Sequence, residues 1–267
     1  MMSVQTLLGD LNLDIREPAV CVTLISKWVT ITGTMLKKSA MVLVDQKVRD
    51  VGTTIEGTLY EELEASNQIT MDEGDWFEIR NFKLIHASGL IRLSTNRYHI
   101  EMTNSSVISK IQPKMFGNYY CFAHFLNVLR GLSHPMYSID LYGALVGVGE
   151  LQAYEDDIYG GISHKINFSL INIGFDEIKC VAYGDMAIEF YHLWNSTVSS
   201  VVLCVLNFWQ IERAEGFHQP HIEVIAGDLK KDFSFSETRH LELEIERLSR
   251  SNIITPICDA DLRGEAN

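Results

Sequence analysis

Between residues 20 and 102 the chain is laid out in short runs whose apolar and polar positions alternate, the period of half-buried strands. Residues 20–31 are dense in Val, Ile, Thr and Trp. Residues 41–45 alternate, and so do 53–59, where Gly57 is the place for a bulge or bend. Across 76–85 the chain alternates Trp, Glu, Arg, Phe and Leu over two faces, and 98–102 close the set. The one helical pattern in this half, at 60–69 (YEELEASNQI), falls between the third and fourth runs. The predicted order is three strands, a helix, two strands.

That order recurs downstream. Strands are predicted at 139–149, 165–173, 178–183, 198–211 and 221–225, with a short helix at 185–194. Gly143, Gly147 and Gly149 permit strong coiling of the first of these strands. The halves also match residue by residue, about 120 to 127 positions apart, which is the length of a small domain and not of a solenoid unit. IEGTLY at 55–60 answers IKCVAY at 178–183, and MVLVD at 41–45 answers FSLIN at 168–172. Asn81-Phe82 answers Asn207-Phe208 and His99-Ile100-Glu101 answers His221-Ile222-Glu223, while Trp28-Val29 loosely answers Leu145-Val146 at the shorter spacing of 117. The chain therefore reads as one fold used twice. Expected bounds are a first domain at 1–110, a linker at 111–137, a second domain at 138–228, and a C-terminal helix and tail at 229–267. The helix is the amphipathic stretch 236–250, with Ser236 as its cap. Three strands, a helix and two strands in about 110 residues suit a five-stranded barrel of the OB type, whose helix sits between strands three and four. On pattern alone, other small barrels and sandwiches remain open.

Composition narrows the classes. At 46% hydrophobic and 21% charged, the 267 residues are ordinary for globular protein, and each half can bury its own core. Five Cys at 21, 121, 180, 204 and 258 include no C-x-x-C pair, so neither a disulfide framework nor a cysteine zinc site is expected, and a reducing compartment is. No secretory leader pattern is visible, and the longest apolar stretch, 198–208, is too short to span a bilayer. The three Asn-x-Ser/Thr sequons, at Asn104, Asn167 and Asn195, are therefore read as chance matches. Net charge is −13. Up to residue 110 there are 11 Lys and Arg against 14 Asp and Glu, and beyond it 11 against 21, so the acidity belongs to the second half. That average argues against indiscriminate polyanion binding while allowing a local basic groove.

The runs at Lys27-Trp28, 41–45, 55–63 (IEGTLYEEL), 74–84 (GDWFEIRNFKL), 95–104 (TNRYHIEMTN), 141–151 (LYGALVGVGEL), 167–173 (NFSLINI) and 178–187 (IKCVAYGDMA) together resemble the large (70 kDa) DNA-binding subunit of replication protein A. The likeness is to its plant-type paralogues, whose first OB-fold is of the DUF223 kind, and it covers most of 20–226. It implies an all-β chain with short helices, folded as two tandem five-stranded OB-fold barrels that bind single-stranded DNA in the nucleus during replication, repair or recombination. Implied partners are single-stranded DNA and other replication protein A subunits or repair proteins. The family's zinc-bearing domain for trimer assembly has no counterpart in these 267 residues. No cofactor, metal or membrane is implied.

Single-strand binders need cations for phosphates and aromatic faces for bases. In the resembled family an aromatic at the end of strand three stacks on a base; the matching positions are Tyr60 and Tyr183. Either could instead plug its barrel with the hydroxyl in water. The family's second aromatic, in the hairpin between strands four and five, is replaced by Ile91 in the first half and loosely matched by Phe217 in the second. Lys27, Lys37 and Lys38 flank the loop between strands one and two, one wall of an OB cleft. Lys83, Arg92 and Arg97 would form the other wall, and Lys165 matches a basic family position. Read singly, each is as well explained as a solvated surface charge. Glu56 stands where the family has a basic residue, and Glu155-Asp156-Asp157 makes the second half's corresponding loop acidic, which argues against tight binding there. Trp28, Trp76, Phe82, Phe168 and Phe208 read as core. His218 and His221 lack the partners of a metal site, and no nucleophile elbow, phosphate loop or H-E-x-x-H pattern occurs, so an enzyme is not expected. The rival functional reading is a diverged OB-fold protein-interaction module with little or no DNA affinity.

Overall fold

Val20, Val22 and Leu24 alternate along the first strand and are wholly buried, and the same alternation builds each wall of the first unit. The computed structural model describes residues 5–31, 37–46, 53–60, 63, 70–115, 119–155, 160–198, 201–214, 221–225 and 232–237. They divide into two compact units, Met1–Tyr119 and Tyr120–Asn267.

In the first unit β1 (Ala19–Ile31), β2 (Lys37–Val44) and β3 (Thr54–Tyr60) form an antiparallel meander. β3 then runs parallel to β6 (Tyr98–Glu101), which pairs antiparallel with β5 (Lys83–His86), while β4 (Trp76–Arg80) pairs antiparallel with β1. The predicted strand 76–85 is thus two strands, broken at Asn81, which sits at φ 56. Asn tolerates this left-handed conformation better than most residues. Its N–H is satisfied by the carbonyl of Pro18 at 2.9 Å. The two halves of the broken strand reach β1 and β6, and the sheet closes into a barrel. Met41, Leu43, Ile55, Leu59, Phe77, Ile79 and Ile100 fill it, and a 3-10 turn at Leu8–Asp10 adds Leu8. That turn is tied down by the Leu8 N–H donating to Asp45 Oδ2 at 2.7 Å. A seventh strand, β7 (Val107–Ile111), extends the sheet beside β4. Of the helix predicted at 60–69, Leu63 is helical and packs on the core, while 61, 62 and 64–69 lie outside the described residues.

The second unit repeats the circuit. β8 (Ile139–Val146) pairs with β10 (Ile162–Ile171), β10 with β11 (Glu177–Tyr183), β11 in parallel with β13 (His221–Ile225), β13 with β12 (Val202–Ala214), and β12 with β8. β9 (Gln152–Glu155) forms an arm with the start of β10. Close β8–β10 contact requires Gly143: a Cβ there would lie 2.8 Å from the Ile171 carbonyl oxygen. β12 breaks at Phe208 (φ 59), the counterpart of the Asn81 break. Here the freed N–H donates to the carboxylate of Asp140, whose other oxygen accepts from Cys121 N–H, at 3.0 and 2.9 Å. Burial raises the Asp140 pKa from 3.8 to about 6, against the two backbone hydrogen bonds.

Three-on-one connectivity with a parallel closing pair, twice over, is the OB-fold. The expected all-β fold of two tandem five-stranded barrels is therefore what the chain adopts, with extra strands outside each circuit. Residues 111–137 do not form a free linker. β7 ends at Ile111, and helix α1 (Phe125–Leu129) buries Phe125 and Val128 in the second core. Ser236 caps no helix: it lies in β14 (Asp232–Glu237), antiparallel to β12, and the rest of 236–250 lies outside the described residues. Helix α2 (Gly184–Ser196) follows β11 and buries Ala187 and Phe190.

Sheet register confirms two of the repeat matches and shifts two. Met41 faces Gly57 as Phe168 faces Cys180. Glu56, however, faces His99 where its counterpart Lys179 faces Glu223, two residues past the matched His221. Leu145 faces Leu170 as Leu24, not Trp28, faces Leu43.

Candidate functional site

Inward residues of β2 and β3 fill the first barrel and those of β10 and β11 the second, so their alternate neighbours form an outer face on each. In the first unit three cross-strand rows cover it. Thr30, Lys38 and Tyr60 make one; Trp28, Ala40, Thr58, Glu101 and Lys83 the next; Ser26, Val42, Glu56, His99 and Ile85 the third. Lys38 and Tyr60 are direct cross-strand neighbours, both half-buried. Trp28 belongs to this face and not to the core expected for it. It is half-buried beside the small Ala40, and its indole N–H is buried with no hydrogen-bond partner. Trp76, Phe82, Phe168 and Phe208 are buried as expected.

The other cations divide. Lys83 is exposed on this face but ion-paired with Glu101 at 2.8 Å, a bond that raises its pKa, with Tyr60 adding a smaller contribution. Lys27 pairs with the inward Met41, and its Nζ reaches the Met71 carbonyl at 3.4 Å while its N–H donates to Glu73, so it points to the far side of β1. Lys37 is exposed at the start of β2, one residue out of phase with Lys38. Arg97 is exposed, with its guanidinium 5.3 Å from the Tyr98 ring centre. Arg92 is not at the surface: it is 7% exposed, and its guanidinium donates to the Asn96 carbonyl.

Glu56 explains Arg92. The carboxylate accepts the Leu93 N–H at 2.6 Å, and Arg92 lies close enough to lower its pKa, although burial raises it more. Ser94 Oγ likewise donates to the Thr54 carbonyl at 2.7 Å. The loop between β5 and β6 is thereby fastened over the start of β3, leaving Leu90 and Ile91 exposed. His99 beside it is pulled down to a pKa of about 4, first by burial and then by the Lys38 charge, so it is neutral at pH 7 and shares a hydrogen bond with Thr58 Oγ1 at 3.1 Å.

The second face is arranged differently. Lys165 neighbours Tyr183 across β10–β11, the same register position that Lys38 and Tyr60 hold in the first barrel. Lys179 occupies the position of Glu56 and is exposed. Its cross-strand neighbour on β13 is Glu223. Asn167 and Ser169 complete the β10 side. The β9 arm places Gln152 opposite Lys165 and brings the Tyr154 ring edge-on to Tyr183, with centroids 5.9 Å apart at 79°. Phe217 and Asp156-Asp157 lie outside the described residues. Sequence reasoning missed Tyr154 and Lys179, since one follows a glycine-rich break in the strand and the other is visible only once Glu56 and Lys179 are set in register.

Among the described residues no three His, Cys, Asp or Glu stand close enough to hold a metal, and no helix is long and apolar enough to cross a membrane.

Residues 10–131 match the model of a domain of unknown function, DUF223. No curated protein matches the chain. Among solved structures, a chain of a replication protein A heterotrimer bound to ssDNA superposes with a TM-score of 0.51 at 15% identity. The match covers 92% of this chain and 55% of that one, so the present sequence spans about half of its structural relative. Fission yeast Pot1 with ssDNA gives 0.40 at 9% identity, covering 96% and 95%. A murine DNA-binding protein with double-stranded DNA gives 0.40 at 9%, covering 82% and 99%. The first of these supports the tandem OB architecture derived above.

Proposed function

We propose that this chain binds single-stranded DNA across the outer β2–β3 and β10–β11 faces of its two OB-folds, and that it serves replication, repair or recombination in the nucleus without catalysing a reaction. The observation that carries this is the cross-strand Lys–Tyr pair, Lys38 with Tyr60 and Lys165 with Tyr183, at one register position of both barrels. A flat ring for a base beside a cation for its phosphate is the elementary unit of sequence-tolerant strand binding. The structural relative is itself described as bound to ssDNA, which agrees with this reading. Partners from the replication protein A assembly, or repair proteins, follow from the same likeness.

The test is fluorescence polarisation of a labelled oligo-dT of about 30 nucleotides at low and moderate salt. Salt-sensitive binding by the native chain, lost in the Tyr60→Ala/Tyr183→Ala double variant, is expected. Absence of binding at low salt would overturn the proposal. A second reading, a protein-interaction module, is favoured in the first barrel by the loop fastened through Glu56 and by exposed Leu90 and Ile91. It would take over in that event.

A further inference from the structure

Resting on the strand-binding reading, we infer that Tyr154 is a second base-stacking residue of the second barrel, so that the β9 arm supplies one jaw of the clamp. Tyr183 ends β11 at the rim of the outer face, where Lys165 is its cross-strand neighbour. The arm is held by four register pairs, from Ile162 with Glu155 to Lys165 with Gln152. These pairs place Tyr154 one step beyond Gln152 on the side that meets Tyr183. Two half-buried rings at 79° form a corner, in which a base lying parallel to the Tyr154 ring would present its edge to Tyr183. The polar tips and the neighbouring Lys165 suit a nucleotide better than an aliphatic group, because the phosphate then meets a cation.

The equivalent stretch of the first barrel supplies no aromatic for such a corner. Its sequence from 29 to 39 (VTITGTMLKKS) contains no aromatic residue, and its outer-face aromatic on the first strand, Trp28, lies in the neighbouring row. The exposed Glu155 follows Tyr154 on the arm, so the site is built for stacking more than for charge. The inferred ligand is a single unpaired nucleobase of a DNA strand.

The experiment is oligo-dT binding by the full chain carrying Tyr154→Ala, Tyr154→Phe or Tyr60→Ala. It is paired with ultraviolet crosslinking of the thymines to native chain and mass-spectrometric mapping of the adducts. One stacked base corresponds to a loss of about 5- to 150-fold in affinity for Tyr154→Ala. Tyr154→Phe, which keeps the ring and the fold of the arm, stays within about twofold of native, since the ring and not the hydroxyl does the stacking. Crosslinks fall on the peptides carrying Tyr154 or Tyr183. Native binding with Tyr154→Ala unchanged and no adduct on the arm overturns this inference alone. An equal loss in Tyr154→Ala and Tyr154→Phe overturns it too, since a hydroxyl contact would then be at work. No binding by the native chain overturns the strand-binding reading and this inference with it.

Discussion

Asp140 makes the second barrel sensitive to pH in an uncommon direction. Its side chain is buried, and that burial holds its pKa at about 6 against an ordinary 3.8. A raised folded value means the native state holds the proton more tightly than the unfolded chain does, so stability falls as pH rises through that window. At about 1.4 kcal/mol per pH unit, the ionised group costs the native barrel about 3 kcal/mol above pH 6, and about 1.4 kcal/mol of that is recovered at pH 5. Asp140→Asn cannot ionise, but it offers one acceptor where the Phe208 and Cys121 N–H groups need two. If Oδ1 keeps the buried Phe208 N–H, the Nδ2 group is set donor against donor toward the part-buried Cys121 N–H, at about 1–3 kcal/mol. The variant should therefore be close to native in stability at pH 7.5 and clearly weaker at pH 5. Hydrogen exchange on β8 and β12 peptides, or urea unfolding followed at pH 5, 6 and 7.5, measures this. If native protein and Asp140→Asn keep the same difference in stability at all three values, the buried carboxylate is not the origin and the reasoning fails.

Gly143→Ala brings a Cβ to 2.8 Å from the Ile171 carbonyl and should destabilise the second barrel by about 1–3 kcal/mol, read as a lower urea midpoint with unchanged m-value. Glu56→Ala removes the acceptor for Leu93 N–H, and exchange of the Leu93 amide should quicken at least tenfold while the β1 and β2 amides stay protected. Glu101→Gln releases Lys83 from its ion pair; oligo-dT affinity should rise, and the slope of log affinity against log salt should steepen by up to about one.

The barrels were legible in the sequence because alternation, a signal of period two, survives wherever one strand face is buried, as at Met41, Leu43, Ile55 and Leu59. The breaks were not. Each is marked only by a one-residue slip of the apolar phase, from Phe77 and Ile79 to Phe82 and from Cys204 and Leu206 to Trp209 and Ile211, and nothing in such a slip says that the backbone turns left-handed at Asn81 and Phe208. Two candidate site residues lie elsewhere than expected for a related reason. Proximity to a loop selected Lys27 and Arg92, but a one-residue change of phase moved Lys27 to the other side of its strand, and a fastened loop took Arg92 inside. Lys38, Tyr60, Lys165 and Tyr183 lie on regular strands, where position and facing go together, and the structure brings them together in pairs.

The first barrel should answer pH in the opposite sense. His99 has its pKa drawn from 6.5 down to about 4 by burial and then by the Lys38 charge. The unfolded chain takes up that proton as pH falls below about 6.5, while the native barrel refuses it until about 4. Stability is lost across that interval, by about 2 kcal/mol at pH 5. Glu56 works against part of this loss, since burial raises its pKa and acid relieves it. His99→Gln removes the titration while keeping a side chain able to bond Thr58 Oγ1. Hydrogen exchange resolved by peptide follows both barrels in one sample. Moving from pH 7.5 to 5, after correction for the intrinsic exchange rate, β2 and β3 amides should lose protection and β8 and β12 amides should gain it. His99→Gln should abolish the first change and leave the second intact. Loss of protection in both barrels together would mean that general acid unfolding outweighs these two buried groups. Gain in β2 and β3 would mean that Glu56, not His99, governs the first barrel.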